Sequence, residues 1–226
     1  MTLQQLVPRL RKAELQKLLT KSCRHRHAYI DHLSCFVQEI DVPERIGHLD
    51  IETTSLVADF GFILTYCIKV DGEETIYSGS ITRDEINGAK AGDEDKEVVR
   101  KLLADMSKFD RLTGFYSKRF DIPFIRTRAI SMGLPFPEWG TIKHTDVYDL
   151  VKKKFKLTSS RLENVCRVLL GKTDKTRVDG KYWRAAARGD SKSLEYIMDH
   201  NIRDVVDLEK VYRKVLVHSK PQGGSI

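Results

Sequence analysis

Residues 45–70 read RIGHLDIETTSLVADFGFILTYCIKV, and this stretch contains two strand patterns. Its first part, residues 45–52, predicts a strand that leads into two carboxylates. Its second part, residues 60–70, is almost entirely β-branched, aromatic or apolar, which is typical of a central strand. Asp71-Gly72 then predicts a hairpin turn into a third strand. The stretch therefore predicts an antiparallel meander.

Helical and extended patterns alternate through the rest of the chain. Helices are predicted over residues 9–21, 96–107, 122–132, 144–155, 160–170 and 191–218, and a short strand over residues 111–115. A meander followed by alternating helices and strands predicts an α/β protein with a mixed sheet flanked by helices. We expect three regions, namely a basic N-terminal extension over residues 1–44, a main domain over residues 45–217 and a disordered tail over residues 218–226.

The composition narrows the class of protein. The chain has 226 residues, of which 31% are charged and 41% are apolar, and this balance excludes wholesale disorder. No apolar run reaches the ~18 residues of a membrane span, and from the polar start we expect no signal peptide. The four cysteines are too few and too scattered for a disulfide framework. We expect an intracellular, cytoplasmic protein without a membrane partner, and its oligomeric state stays open.

The net charge of +7 is concentrated in two regions. Residues 1–30 hold seven basic side chains and one acid, and residues 107–190 hold 19 basic side chains and nine acids. A concentrated positive field is what binding to a phosphate backbone requires. The predicted partner is therefore nucleic acid, and solvated helix faces are the alternative.

Four acidic residues stand out by their context. Asp50 and Glu52 are two apart on a strand, so both side chains leave the same face. Two partly desolvated carboxylates destabilise a fold unless a cation neutralises them, and hard divalent ions suit oxygen ligands. Asp121 precedes a helix and has an N-cap as its alternative role. Asp204 lies one helical turn after His200, and a solvated carboxylate is its alternative.

These acids fall in three motifs: HLDIETTSL at residues 48–56, TGFYSKRFDIPFI at residues 113–125 and HNIRDVVDLEKVY at residues 200–212. The motifs resemble those of the DEDD superfamily of metal-dependent nucleases, which have a ribonuclease-H-like fold. The resemblance covers about residues 45–217. It implies a metal-binding set made of Asp50, Glu52, Asp121 and Asp204.

The resemblance also implies a reaction. Two Mg²⁺ or Mn²⁺ ions would straddle the scissile phosphate, one activating a water molecule and the other stabilising the leaving 3′ oxygen. The implied activity is 3′–5′ exonuclease cleavage of DNA or RNA. A structure-selective endonuclease on the same scaffold and a catalytically silent nucleic-acid-binding module are the alternatives. Four intact carboxylates argue against a silent binder, because acids would repel the phosphates.

Two positions depart from the family pattern. Family members carry a His five positions before the last Asp or a Tyr four positions before it, whereas His200 stands four before Asp204. The resemblance implies that His200 is a catalytic residue that orients water or accepts its proton, and a packed surface histidine is the alternative. Tyr116 stands where the family often has an Asn that positions substrate.

Further residues are predicted to surround the site. The expected phosphate contacts are Lys118, Arg119, Arg126, Arg128, Lys152, Lys153 and Lys154, with solvated surface as the alternative for each. Asp146 is either structural or catalytic. Tyr182 and Trp183 either stack on a base or belong to the core.

A second cluster lies in the N-terminal extension. Cys23, His25, His27, His32 and Cys35 fall within thirteen residues. Thiolates and imidazoles at short spacing suit tetrahedral Zn²⁺, with two cysteines and two of the three histidines as ligands. Buried free cysteines and a basic stretch lying on nucleic acid are the alternatives.

Overall fold

The computed structural model describes residues 3–7, 10, 12–40, 44–171, 179–219 and 224–225. The chain divides into two compact units, Met1–Arg45 and Ile46–Ile226, which we call the N-terminal unit and the main unit. None of the helices in the described ranges is both long enough and apolar enough to cross a membrane.

The N-terminal unit is small and helical. Its helices are α1 (Leu3–Leu6), α2 (Lys12–Thr20) and α3 (Leu33–Ile40), with a 3-10 turn at Tyr29–Asp31. Helix α2 lies within the predicted helix over residues 9–21, and residues 9 and 11 lie outside the described residues. The buried apolar side chains of this unit are Leu6, Leu18, Cys23, Tyr29, Cys35 and Phe36.

The main unit is built on one sheet. Its strands are β1 (Ile46–Thr53), β2 (Ile63–Val70), β3 (Ile76–Ser80), β4 (Arg111–Gly114), β5 (Lys143–Asp146) and β6 (Gly224–Ser225). They lie in the order β3-β2-β1-β4-β5-β6. The strands β1, β2 and β3 pair antiparallel, whereas β4 pairs parallel with both β1 and β5. The predicted meander and mixed sheet are confirmed.

Seven helices are described in the main unit. They are α4 (Arg83–Gly88), α5 (Lys96–Met106), α6 (Asp121–Ser131), α7 (Val147–Lys154), α8 (Leu162–Leu169), α9 (Gly180–Ala186) and α10 (Ser191–Leu216). The sequence patterns did not predict α4 and α9, both of which are under three turns long.

Strand β2 is buried along its whole length because helices cover both faces of the sheet. Neighbouring residues of a strand point to opposite faces. The hydroxyl of Tyr66 donates a hydrogen bond to Asp105 of α5, whereas the thiol of Cys67 faces the sulfur of Met198 in α10 at 3.6 Å. Helices α5 and α10 therefore lie on opposite faces, as the predicted layering requires.

Two predicted boundaries are wrong. The helix predicted over residues 144–155 is in fact strand β5 followed by α7, because residues 143–146 pair with β4 and the side chain of Asp146 caps α7 at the nitrogen of Tyr148. The tail predicted to be disordered contains β6, which pairs with β5 and so covers a strand edge that would otherwise be unpaired. Residues 220–223 and 226 lie outside the described residues.

Candidate metal-binding active site

The first motif and the last motif meet on one face of the sheet. In the antiparallel pair of β1 and β2, Asp50 lies opposite Cys67 and Glu52 lies opposite Thr65. Residues directly opposite each other point to the same face. That face carries α10, because the side-chain amide of Asn201 donates to the hydroxyl of Thr65 at 3.2 Å. Strand pairing therefore directs both carboxylates toward the helix that bears the last motif.

Glu52, His200 and Asp204 form a compact group. The Nε2 atom of His200 lies 3.9 Å from Oε1 of Glu52 and 3.7 Å from Oδ2 of Asp204. One donor atom from each of the three residues lies within 4.8 Å of the other two. Two carboxylates this close, both mostly buried, favour a bound cation, and oxygen donors suit Mg²⁺ or Mn²⁺.

Asp121 is the most deeply buried acid of the predicted set, with 3% of its surface exposed. Its Oδ1 accepts a hydrogen bond from the backbone nitrogen of Ile51 at 3.2 Å, so it lies against the segment between Asp50 and Glu52. Burial raises the pKa of Asp121 to about 7. The alternative role as an N-cap is wrong, because the N-cap position is Phe120 and α6 begins at Asp121 itself.

Asp50 lies on the same face as Glu52 but outside the compact group of three donors. Burial first, and then the charges of Asp50 and Glu52, raise the pKa of the Cys67 thiol well above its ordinary value. The Cys67 side chain thus stays a neutral thiol beside the acidic site. The structure brings together three of the five predicted catalytic residues directly, and it holds Asp121 and Asp50 beside them.

Comparisons with known proteins agree with this architecture. A model of the RNase H superfamily matches residues 48–216, a span that contains all three motifs. The chain belongs to the RNase H superfamily. The fold and the family that the motifs predict are confirmed at this level, and the superfamily supports nuclease chemistry with divalent metals. No curated protein matches the sequence.

One solved structure illustrates the shared fold. The family B DNA polymerase from the hyperthermophilic archaeon Pyrobaculum calidifontis is 18% identical, with a TM-score of 0.62. The alignment covers 77% of this chain and 25% of the polymerase chain. The chain thus spans about a quarter of that protein, and the likeness concerns the fold.

Asp146 has a structural role in this member of the RNase H superfamily. Its buried carboxylate accepts hydrogen bonds from the backbone nitrogens of Tyr116, Lys118 and Tyr148 at 2.9–3.0 Å. These bonds anchor the loop between β4 and α6 to the start of α7. Tyr116 within that loop has a φ of +67°, a left-handed conformation that costs free energy in a residue with a side chain. Asp146 therefore holds the loop that leads into Asp121.

The predicted phosphate contacts divide into exposed and buried residues. Lys118, Arg119 and the run of lysines 152–154 are exposed. The guanidinium of Arg119 pairs with Asp149 at 2.7 Å and lies over the ring of Tyr116, 5.4 Å from its centroid. Arg126 is half-buried and lies over the ring of Phe136. The exposed cations form a basic surface beside the loop between β4 and α6.

The prediction for Arg128 is wrong. The side chain is 6% exposed and pairs with the fully buried Asp95 at 2.6 Å. The same nitrogen, Nη2, also donates a hydrogen bond to the carbonyl oxygen of Gly92 at 2.9 Å. Arg128 is therefore committed to an internal ion pair and faces no phosphate. Its helical position among other basic residues could not reveal Asp95, which is 33 residues earlier in the chain.

A cleft opens beside Tyr116. Its volume is about 710 Å³, and its lining includes the rings of Phe115, Tyr116 and Tyr148 and the cations Lys152 and Arg161. The rings of Tyr116 and Tyr148 stand edge to face with centroids 5.0 Å apart. Aromatic faces next to cations suit a nucleotide, whose base stacks and whose phosphate is charged. The sequence indicated Tyr116 only as a departure from the family pattern.

The aromatic residues of α9 are half-buried and pack against α10. The ring of Tyr182 stacks on Tyr196 with centroids 4.2 Å apart, and the ring of Trp183 stands edge to face against His200 at 6.3 Å. His200 itself is 8% exposed. It is therefore a buried residue of the acidic group, and its alternative role as a surface histidine is wrong.

A second charged group lies at the C-terminal half of α10, and the sequence patterns did not predict it. Nε2 of the buried His48 contacts Asp71 at 3.1 Å, and the hydrogen bond from His48 is the largest factor that lowers the pKa of Asp71 to about 2. Arg213 also pairs with Asp71, and Lys69 pairs with Glu209. Because cations already neutralise both acids, this group ties the turn after β2 to α10 and is not a metal site.

The predicted Cys/His cluster lies within the N-terminal unit. The structure brings donor atoms of Cys23, His25, His32 and Cys35 within 4.8 Å of one another. His27 is outside this group, and its Nδ1 lies 3.3 Å from Nδ1 of His32. Of the three histidines left open by the sequence, His25 and His32 are therefore the two that face both cysteines.

Proposed function

We propose that this protein is a metal-dependent nuclease that hydrolyses DNA or RNA from the 3′ end. The observation that carries the proposal is the convergence of Glu52, His200 and Asp204, whose donor atoms lie within 4.8 Å of one another beside the buried Asp121. Membership of the RNase H superfamily supports the nuclease class. The fold shared with a protein named as a DNA polymerase supports a nucleic acid as substrate.

The acidic residues fit divalent metal ions. Asp50, Glu52, Asp121 and Asp204 would hold two Mg²⁺ or Mn²⁺ ions, because all four offer the hard oxygen donors that these ions prefer. A buried aspartate such as Asp121 is costly to ionise, and a neighbouring cation removes that cost. When bound, the ions supply an activated water molecule and stabilise the departing oxygen.

His200 would hold and move a proton at this site. Its Nε2 atom lies between Glu52 and Asp204, and the long helix α10 and the ring of Trp183 fix the imidazole in place. A neutral imidazole in this position accepts the proton of the attacking water and orients its lone pair. The residue occupies the position that a Tyr has in part of the family.

The cleft beside Tyr116 would bind the substrate. Tyr116 lies in the loop that leads into Asp121, so a nucleotide bound in the cleft would extend toward the acidic site. Stacking on Tyr116 or Tyr148 would hold a base of any sequence, while Lys152 and Arg161 would contact the backbone phosphates. Such contacts favour single-stranded ends over a closed duplex.

The test uses 5′-labelled linear substrates and closed circular substrates, each as DNA and as RNA, with Mg²⁺ or Mn²⁺. A 3′–5′ exonuclease produces a ladder of shortened labelled strands and leaves the circle intact. Cleavage of the circle would identify an endonuclease on the same scaffold. Binding without hydrolysis by the wild type would identify a silent module. The matched control is Asp204→Asn, which removes one donor and should abolish hydrolysis while the far-ultraviolet circular dichroism stays unchanged.

A further inference from the structure

We propose that the N-terminal unit holds one structural zinc ion through Cys23, His25, His32 and Cys35. Its residues differ from those of the acidic group of the main unit, and they lie outside the superfamily match, which begins at residue 48. The ligand set is two thiolates and two imidazoles, which is a common composition of structural zinc sites.

The distances between the donor atoms match a tetrahedral zinc site. Zinc–sulfur bonds of about 2.3 Å and zinc–nitrogen bonds of about 2.0–2.1 Å at tetrahedral angles place sulfur and nitrogen about 3.6 Å apart. The Sγ of Cys23 lies 3.5 Å from Nδ1 of His32 and 3.9 Å from Nδ1 of His25. The Sγ of Cys35 lies 3.3 Å from Nδ1 of His25. The donors therefore already surround a space of the correct size.

A tight turn supplies the first two ligands. Ser22 and Ala28 form an isolated bridge, and the backbone nitrogen of Cys23 donates to the carbonyl of His27 at 2.9 Å. The nitrogen of Arg26 donates to the carbonyl of Cys23 at 2.8 Å, and Arg26 has a φ of +68°. This left-handed residue reverses the chain just after His25. The turn thus fixes Cys23 and His25 on one backbone unit.

The start of α3 supplies the other two ligands. His32 and Cys35 are three residues apart at the start of the helix. The backbone nitrogen of Cys35 donates a hydrogen bond to the carbonyl of His32 at 3.1 Å. Side chains at this spacing lie on the same face of a helix. The turn and the helix start each offer two ligands. Their backbones already hold the four side chains in position to bind a metal. Four protein ligands leave no open position, which defines the site as structural.

The small core of the N-terminal unit explains why a bound metal ion would stabilise it. Beyond the two cysteines, its fully packed apolar side chains are Leu6, Leu18, Tyr29 and Phe36. A unit of about 40 residues buries too little surface to be stable without a metal, a disulfide or a partner. Metal binding to four preformed ligands adds folding free energy directly. The other two cysteines, Cys67 and Cys166, are buried in the main unit.

The test measures zinc in the purified full-length chain by elemental analysis. The wild type should carry about one zinc ion per chain, and Cys35→Ser should reduce the content at least about tenfold. Cys166→Ser and His27→Asn are matched controls outside the ligand set and should retain zinc. Asp204→Asn should also retain it, which separates this site from the nuclease site. Replacement by Co²⁺ should give the visible spectrum of a tetrahedral thiolate site.

A measurement on the wild type alone guards against a variant that fails to fold. Alkylation followed by mass spectrometry should find Cys23 and Cys35 protected, and EDTA should expose both while Cys67 and Cys166 stay protected. The proposal is overturned if the wild type binds no zinc after incubation with ZnCl₂, or if Cys23 and Cys35 are joined by a disulfide in the protein as purified, before any EDTA is added. It is also overturned if the zinc is lost in Asp204→Asn and kept in Cys35→Ser.

Discussion

Replacing Asp121 by Asn should stabilise the metal-free protein. Asp121 is 3% exposed, and burial raises its pKa from 3.8 to about 7. The asparagine has nearly the same volume and keeps an oxygen that can accept the hydrogen bond from the backbone nitrogen of Ile51. The substitution therefore removes a buried charge and preserves the contact. At about pH 8, the variant should have the higher free energy of unfolding.

The magnitude follows from the pKa. Each pKa unit corresponds to about 1.4 kcal/mol, so the shift from 3.8 to about 7 destabilises the ionised native state by at most about 4 kcal/mol. Local relaxation of the structure lowers this destabilisation, and we expect about 2 kcal/mol. For a chain of this length, about 2 kcal/mol corresponds to a rise of roughly 4–8 °C in the melting temperature. Between the two pKa values, the native state of the wild type keeps a proton that the unfolded state has lost. Its stability therefore falls as the pH rises through this window.

The assay is thermal unfolding followed by circular dichroism in EDTA from about pH 4 to pH 8. The advantage of Asp121→Asn should grow across this range, and it should shrink or reverse with Mg²⁺, because the wild type then binds a cation that the variant binds poorly. Asp95→Asn is the matched control: it should destabilise strongly because it leaves the buried Arg128 without its anion. If Asp121→Asn melts at or below the wild-type temperature at pH 8 in EDTA, the desolvation argument is refuted.

Substitutions at three further positions test other parts of the molecule. His200→Ala should lower turnover by about 10²–10⁴-fold with little change in metal affinity, and His200→Tyr should retain more activity; equal rates for wild type and the Ala variant would contradict the proton role. Tyr116→Ala should raise the KM for single-stranded substrate more than it lowers kcat, and an unchanged KM would exclude the cleft. The pKa of Asp71 is lowered to about 2, so its contribution is present above pH 4 and lost as the pH falls toward 2. Asp71→Asn should therefore cost stability in urea unfolding at pH 7 and less at pH 3, whereas an equal cost at both would argue against the ion pair.

The sequence predicted the sheet well where a strand is long and its burial is continuous. Residues 60–70 read as a central strand because almost every side chain is apolar, and β2 is buried throughout. Strand β5 escaped because it has four residues and continues without a break into the apolar pattern of α7. This short strand forms because it pairs with β4, and that pairing is a contact between distant parts of the chain. Local pattern alone cannot supply it.

The same distinction applies to the site. Spacing placed Asp50 and Glu52 on one face of a strand, and His200 and Asp204 on one face of a helix, because the periods of strand and helix are fixed by the backbone. The burial of a side chain and the residues that it contacts, in contrast, depend on the whole fold. Arg128 looked like its exposed neighbours along the sequence, yet Asp95 neutralises it inside the core.

Tyr116 shows how such a long-range contact fixes the conformation of a residue that lines the cleft. In the sequence, Tyr116 stands where the family often has an asparagine that positions substrate. In the structure, the carboxylate of Asp146 binds its backbone nitrogen, and the residue adopts the left-handed conformation that turns its ring into the cleft beside Tyr148. Asp146 is 30 residues away and is itself buried by the pairing of β4 and β5. Under the proposed function, an aromatic ring at this position would stack on a base where an amide would form hydrogen bonds, and the buried Asp146 holds the loop that presents the ring.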